Sequence, residues 1–363
     1  VIKLIENTPK LFIPGPTEVD DRVRLVMAQR VIGHRTSEMT ELYGGIVEKL
    51  QKFFNTKHYA MVFTSSGSGV MEGTIRNLAE KYVLHGACGA FSKRWHEMSL
   101  ANGKEADLVW ADWGKAVKPE MIEEAITKKK YELLAQIHNE TSTGVRNPTD
   151  DIAKIAHEND TLIAIDSVSS LGGDMINIDN YDVVIASSQK ALALPPGLAV
   201  AFVSEAAMER SKNMKNKGYY FDFVRMLKRF EKSKQHPTTP AVSLLYAMDT
   251  QLDIMLKEGM QARYERHLKM REIVHNWVKK RGFELFAEQG YESVTVTTVK
   301  NTHGISVKEL NAELAKRGMT LSNGYGELKE KTFRIAHMGQ VQPGDIMALL
   351  GSVDEILEEK GVY

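Results

Sequence analysis

Three short stretches of this sequence place anion-binding or reactive groups in unusual settings. The first, Ser65-Ser66-Gly67-Ser68-Gly69, lies between an apolar run and a helix-compatible segment. Small residues let backbone N–H groups approach an anion closely, and the start of a helix adds partial positive charge. Taken alone, the stretch reads equally as a phosphate cradle or as a tight strand-to-helix turn. No Gly-Lys-Ser/Thr follows it, so it is not a nucleotide P-loop. Its glycine spacing also departs from the dinucleotide fingerprint.

The second is Asp166, which ends the buried-looking run TLIAID. An unpaired carboxylate there would be costly, so it either caps the next turn or faces a buried cation. A protonated ring nitrogen about 4 Å away would gain on the order of 4 kcal/mol at an effective dielectric near 20. Holding that proton makes the ring an electron sink. The third is Lys190. Most lysines are solvated surface groups, but this one follows Ser187-Ser188-Gln189 and precedes ALALPPG, with no charged neighbour. An amine partly withdrawn from water has a lowered pKa and attacks an aldehyde more readily. An anion loop, a strand-end carboxylate and a desolvated lysine are together what pyridoxal 5'-phosphate requires.

These groups need a frame that brings them to one edge. Apolar runs at 59–63, 82–88, 107–111, 132–137, 161–166, 182–187 and 198–203 read as strands that are apolar throughout. Helix-period segments at 69–80, 92–102, 119–128 and 150–159 lie between most of them. That alternation predicts an α/β fold with a mostly parallel seven-stranded sheet between helices. In such a sheet, ligands collect beyond the carboxyl ends of the strands. TSSGSG, GAF, HNETSTG, Asp166 and Gln189-Lys190 all follow strands there. From Pro240 the texture changes. A helix-compatible stretch over 241–281, interrupted at Gly259, leads into an alternating run 293–300, a helix 307–317, a strand 332–336 and a helix 343–359. This predicts a smaller C-terminal α/β domain, with 13–252 as the large domain and 1–12 plus 253–363 as the small one.

The 363 residues are more than one core usually serves, which favours two domains. Lys+Arg and Asp+Glu balance at 47 each, so nothing points to a nucleic-acid or anionic-membrane partner. Any anion must be held by a local site. The lone Cys88 excludes an internal disulfide and a zinc cluster, and the histidines show no metal-ligand spacing, so no metal is expected. The first ten residues lack an apolar core of signal-peptide length. The longest apolar stretch, 191–203, is too short for a bilayer and contains Pro195 and Pro196. A soluble cytoplasmic protein is expected.

Seven blocks then occur in order over nearly the whole chain: PGPTEV (14–19), GHR (33–35), SGSG (66–69), NETSTGV (139–145), DSVSSLGG (166–173), SSQKALALPPG (187–197) and FRIAHMG (333–339). Together they resemble the class V (fold type I) aminotransferases, close to the alanine–glyoxylate and serine–pyruvate group. The resemblance implies pyridoxal 5'-phosphate bound covalently to Lys190, which would also shuttle the α-proton. Asp166 would pair with the ring nitrogen and Thr141 with the ring hydroxyl. Ser68, Gly69, Val70 and Gln189 would surround the phosphate, and Val168 would touch the cofactor. Phe91 would stack on the ring, with Trp95 as the alternative. Arg334 would clamp the substrate α-carboxylate, a bidentate task suited to guanidinium, with Gly15 beside the substrate. The family works as a homodimer, in which Thr238 would reach the neighbour's phosphate. Gln235 stands where alanine–glyoxylate enzymes carry a tyrosine, and its amide could still donate to that phosphate.

His34 and Arg35 have two readings. They are either a structural pair at a helix start or an anion site like that of phosphoserine aminotransferases, although TSSGSGVME lacks the arginine those enzymes carry. The expected activity is ping-pong transfer of an amino group from alanine or serine to glyoxylate, pyruvate or 2-oxoglutarate. Phosphoserine:2-oxoglutarate transfer is the alternative within the family. Cysteine desulfuration is disfavoured because 321–328 has no thiol. A PLP-dependent lyase or a nicotinamide-dependent oxidoreductase fits the residues less well.

Overall fold

A computed structural model describes residues 8–362; residues 1–7 of the segment assigned to the small domain lie outside them. The larger sheet has seven strands in the order Tyr59–Thr64, Leu198–Val203, Val183–Ser187, Leu162–Asp166, Leu133–Ile137, Tyr82–Ala87, Glu105–Trp110. Every pairing is parallel except those of Leu198–Val203, which runs antiparallel to both neighbours. The seven predicted strands all form, with ends displaced by no more than two residues.

The central strands are apolar on both faces because each face meets a different helical layer. Ile163, Ile165, Val184, Ala186, Val200 and Phe202 share one core with the helices Ser37–Phe54 and Val242–Glu258. The alternate positions Ala164, Val183, Ile185, Ala199 and Ala201 share the other with Gly67–Leu78. Full burial of each Ile or Val contributes about 1.5–3 kcal/mol, which outweighs any need for polar alternation. The edge strand Glu105–Trp110 departs from the expected apolar reading, since it has only one sheet neighbour and is partly exposed.

Helix Ser37–Phe54 was not expected. Gly44-Gly45 sits at its middle and weakens intrinsic helicity, yet Met39, Tyr43, Ile46, Val47 and Leu50 are buried along one side. Tertiary packing therefore overrides local propensity. The long C-terminal helical stretch divides at Gly259 (φ 82°) into Val242–Glu258 and Met260–Lys280.

A second, five-stranded sheet has the order Lys10–Phe12, Met319–Asn323, Thr332–Ala336, Val296–Lys300, Glu284–Leu285. Three of these strands were not expected, and the run 293–300 pairs only from Val296. Ser293 instead donates its N–H to the Gly144 carbonyl (2.9 Å), pinning this sheet to the NETSTG loop. Lys10–Phe12 lies parallel to Met319–Asn323, so residues near the start of the chain complete a sheet built from its end. Among the described residues, no helix is long and apolar enough to cross a membrane.

Candidate active site

Beyond the carboxyl ends of the central strands lies a cavity of about 170 Å³, and Lys190 and Asp166 both line it. Lys190 sits in the loop after Val183–Ser187. That loop is closed by a turn in which Ala193, at φ 56°, donates its N–H to the Lys190 carbonyl at 2.8 Å. A second clamp comes from far away in sequence. Thr17 donates its hydroxyl to the Lys190 carbonyl (2.9 Å) and its N–H to the Gln189 carbonyl (3.1 Å). The Lys190 Nζ donates to the Pro14 carbonyl. Burial, followed by the charges of Arg334 and Arg94, lowers its pKa to about 8, although Asp166 opposes the shift.

The close approach at Pro14 explains Gly15. Its φ is +121°, and a Cβ there would stand 2.6 Å from Lys190 Nζ and Cδ. Gly15→Ala is therefore expected to destabilise the fold by roughly 1–3 kcal/mol and to displace the amine. Comparing urea midpoints and lysine reactivity in the two proteins checks this. A variant equal to the parent in both would refute the contact.

Asp166 ends the strand Leu162–Asp166, and its Oδ1 accepts one hydrogen bond, from the Val168 N–H at 2.8 Å. Burial raises its pKa to about 6, with Glu140 adding to the shift and Val168, Lys190 and Arg94 opposing it. A cation placed in the cavity would restore full ionisation. Helix Gly67–Leu78 begins without a side-chain cap; the Gly69 N–H donates to the Ser66 carbonyl (3.1 Å), which leaves the N–H groups of Gly67 and Ser68 to take an anion. The buried Asn139 Oδ1, also on the cavity, has no hydrogen-bond partner. A ring carrying a protonatable nitrogen, a polar substituent and a phosphate fits all three.

The same cavity collects Ser68, Phe91, Thr141, Val168 and Gln189. Thr141 donates its hydroxyl to Ser169 Oγ (2.9 Å), and Ser187 donates its own to Gln189 Oε1 (2.6 Å). Phe91, not Trp95, is the aromatic residue that reaches it. Trp95 is buried in the core and donates its indole N–H to the Met71 carbonyl at 3.2 Å. Arg334 arrives from the second sheet on Thr332–Ala336 and donates to the carbonyls of Asn323 (3.1 Å) and Thr141 (3.3 Å). Burial lowers its pKa to about 10.

The pattern described as aminotransferase class-V matches residues 24–328. The chain belongs to the class V aminotransferases. It is 38% identical to an uncharacterized aminotransferase of Methanocaldococcus jannaschii, over 97% of this chain and 93% of that one. It is 30% identical to the serine–glyoxylate aminotransferase of Methylorubrum extorquens, over 97% and 92% respectively. Among solved structures, alanine–glyoxylate aminotransferase from Nostoc sp. superposes with a TM-score of 0.93 at 27% identity, covering 98% of this chain and 97% of that one. Enzymes of this family use pyridoxal phosphate.

Not every expected residue of this class V aminotransferase lies at the cavity. Gly69 stands just behind it, where a Cβ would lie 2.7 Å from the Phe221 ring, and Val70 is wholly within the core. His34, Arg35, Gln235 and Thr238 lie apart from it. Arg35 donates to the carbonyls of His236 (2.6 Å) and Pro237 (2.7 Å) and lines an open groove of about 450 Å³ with Arg225, Lys228, Arg229 and Lys232. Gln235 is engaged within its own chain. Its amide nitrogen donates to the Thr36 carbonyl (3.2 Å) and Thr40 Oγ1 (3.0 Å), and its oxygen accepts from Arg229 (2.6 Å). No N–H of that amide is left for a phosphate. Thr238 Oγ1 is shared with His236 Nδ1 at 3.1 Å.

The aminotransferase cavity also holds residues that sequence reasoning passed over: Arg94, Asn139 and Ser169. Arg94 had a readable signal, because it follows Phe91 by three on helix Ala90–Ala101 and so shares its face.

Proposed function

We propose that this aminotransferase carries pyridoxal 5'-phosphate on Lys190. It moves the amino group of a small L-amino acid to a 2-oxo acid such as glyoxylate, pyruvate or 2-oxoglutarate in two half-reactions. The relatives named for serine, alanine and glyoxylate support that size class. The observation that carries the reading is the meeting of a desolvated amine, a buried carboxyl and an uncapped helix start in one cavity. Bound there, the cofactor supplies an electron sink for the bond broken at the α-carbon.

Each protein group then has a task. With the cofactor bound, the Lys190 amine would serve as base and then as acid for the proton at the substrate α-carbon. Asp166 holds a proton on the ring nitrogen. The Ser68 side of the helix start and Gln189 would hold the phosphate, and Thr141 would hold the ring hydroxyl. Phe91 covers one ring face, and Arg334 turns the substrate by its carboxylate. His34, Arg35 and Thr238 lie outside the cavity of their own chain. In a homodimer they would serve the neighbouring site.

Adding one amino acid without an acceptor is expected to release one equivalent of 2-oxo acid per chain and to bleach the visible band. No release from any amino acid would overturn the reading. Capture of cofactor by the stripped protein needs the unprotonated amine. Its rate should climb from pH 7 and level off above about 8, the pKa of Lys190. A rate unchanged between pH 7 and 9 would contradict that titration.

A further inference from the structure

Two guanidinium groups flank one phenol at this site. Tyr325, in the loop after strand Met319–Asn323, lies 5.0 Å from Phe91, centre to centre. Arg94 stands 4.9 Å from the Phe91 ring centre and donates Nη2 to the Tyr325 hydroxyl at 2.8 Å. On the other side, the Arg334 guanidinium is 5.6 Å from the Tyr325 ring centre. Arg334 is held by two backbone carbonyls and Arg94 by a phenol. Among the described residues, neither makes a direct ion pair, although Glu140 acts on Arg334 and Asp166 on Arg94 at longer range.

Glu140 and Asp166 already act at that range, but Arg94 is the guanidinium that lines the cavity without a direct ion pair. Asp166 faces the ring nitrogen, the helix start faces the phosphate, and Arg334 takes the α-carboxylate. None of these anions pairs directly with Arg94. We propose that Arg94, held by Tyr325 and Phe91, is the subsite for a carboxylate on the substrate side chain, so that the preferred donors and acceptors are dicarboxylic. This rests on the amino-transfer reading above and adds a charge to its size class. The Tyr325 hydroxyl accepts from Arg94 and keeps its own hydrogen to donate. One carboxylate can therefore take N–H and O–H bonds together, and charge-assisted bonds of this kind are the strong ones. An alkyl side chain would bring no partner to the half-buried guanidinium, so alanine forgoes that pair.

The test uses the cofactor-loaded protein with succinate and propionate as unreactive probes, their dissociation constants measured by calorimetry. The parent should bind succinate at least tenfold tighter than propionate. Arg94→Gln should weaken succinate by roughly 10- to 100-fold, the range for losing a charge-assisted pair, with propionate unchanged. Arg94→Lys should recover part of the loss and Tyr325→Phe should show a smaller one. The aspartate-to-alanine ratio of kcat/KM should fall in Arg94→Gln by the same factor, with cofactor affinity constant. Equal binding of the two probes by the parent would overturn the subsite. So would an Arg94→Gln variant that loses cofactor affinity but keeps its donor ratio, since the arginine would then serve the phosphate. Arg94-dependent succinate binding by a protein that releases no 2-oxo acid would uphold the subsite and overturn amino transfer. Release from alanine but not aspartate would do the reverse.

Discussion

Lys190→Ala is expected to lower amino transfer by on the order of 10⁴-fold, the upper range for losing a positioned acid–base group, with the covalent anchor lost as well. The loss should fall on the α-proton step, so the substrate α-deuterium isotope effect should rise in any residual activity. A small soluble amine should restore part of the rate by entering the space the side chain leaves. Unfolding would not account for the result. The amine titrates near 8 in the fold against 10.5 in an unfolded chain, so below pH 8 the fold carries a buried ammonium that the unfolded chain solvates. This lysine therefore lowers stability at neutral pH, and the deficit is relieved as the pH rises from 8 towards 10.5. The alanine variant should unfold at pH 7 within a few degrees of the parent by calorimetry. Near-parental turnover would remove Lys190 from the chemistry.

Asp166→Asn should separate activity from stability in opposite directions. A neutral amide cannot hold the proton on a ring nitrogen. About 4 kcal/mol for a charge pair at 4 Å corresponds to a fall in kcat of roughly 10³-fold. Stability of the cofactor-free protein should rise instead. Burial lifts the folded pKa from 3.8 to about 6, so the unfolded chain releases this proton at lower pH than the fold does. Stability is therefore lost as the pH climbs from about 4 to 6, and the penalty is complete above that, on the order of 3 kcal/mol. Asparagine has no proton to release. Urea unfolding of the stripped variant should show higher stability at pH 7 and little difference at pH 4. A less stable variant at pH 7 would mean that the ionised carboxylate holds the empty fold together.

The central sheet was legible because runs such as VVIAS and LAVAFV are buried on both faces and bounded by small or polar residues. Met319–Asn323 was not, because MTLSN is only partly apolar and becomes a strand through its neighbours. Lys10–Phe12 is three residues long and has no local signal at all. The cavity residues divide in the same way. Lys190, Asp166 and Ser68 stand directly after strands, where the topology of a parallel sheet delivers them. Tyr325 reaches Arg94 from the other sheet across 231 residues, a contact with no trace in local pattern. The partners of Gln235 at Thr36, Thr40 and Arg229 are likewise visible only once the chain is folded.

The strand at Lys10–Phe12 sets an order of assembly. Pro14 and Thr17, which hold the two ends of Lys190, follow it immediately, 176 and 173 residues from the lysine they bind. The strand has no sheet to join until Met319–Asn323 has been made. A chain still emerging from the ribosome can close the seven-stranded core before then, since its last strand ends at Val203 and the helix that completes that core ends at Glu258. Such a nascent chain displays Lys190 without the carbonyl and the glycine that seat its amine. The contacts that seat the Lys190 amine are thus tied to the pairing of Lys10–Phe12 with Met319–Asn323.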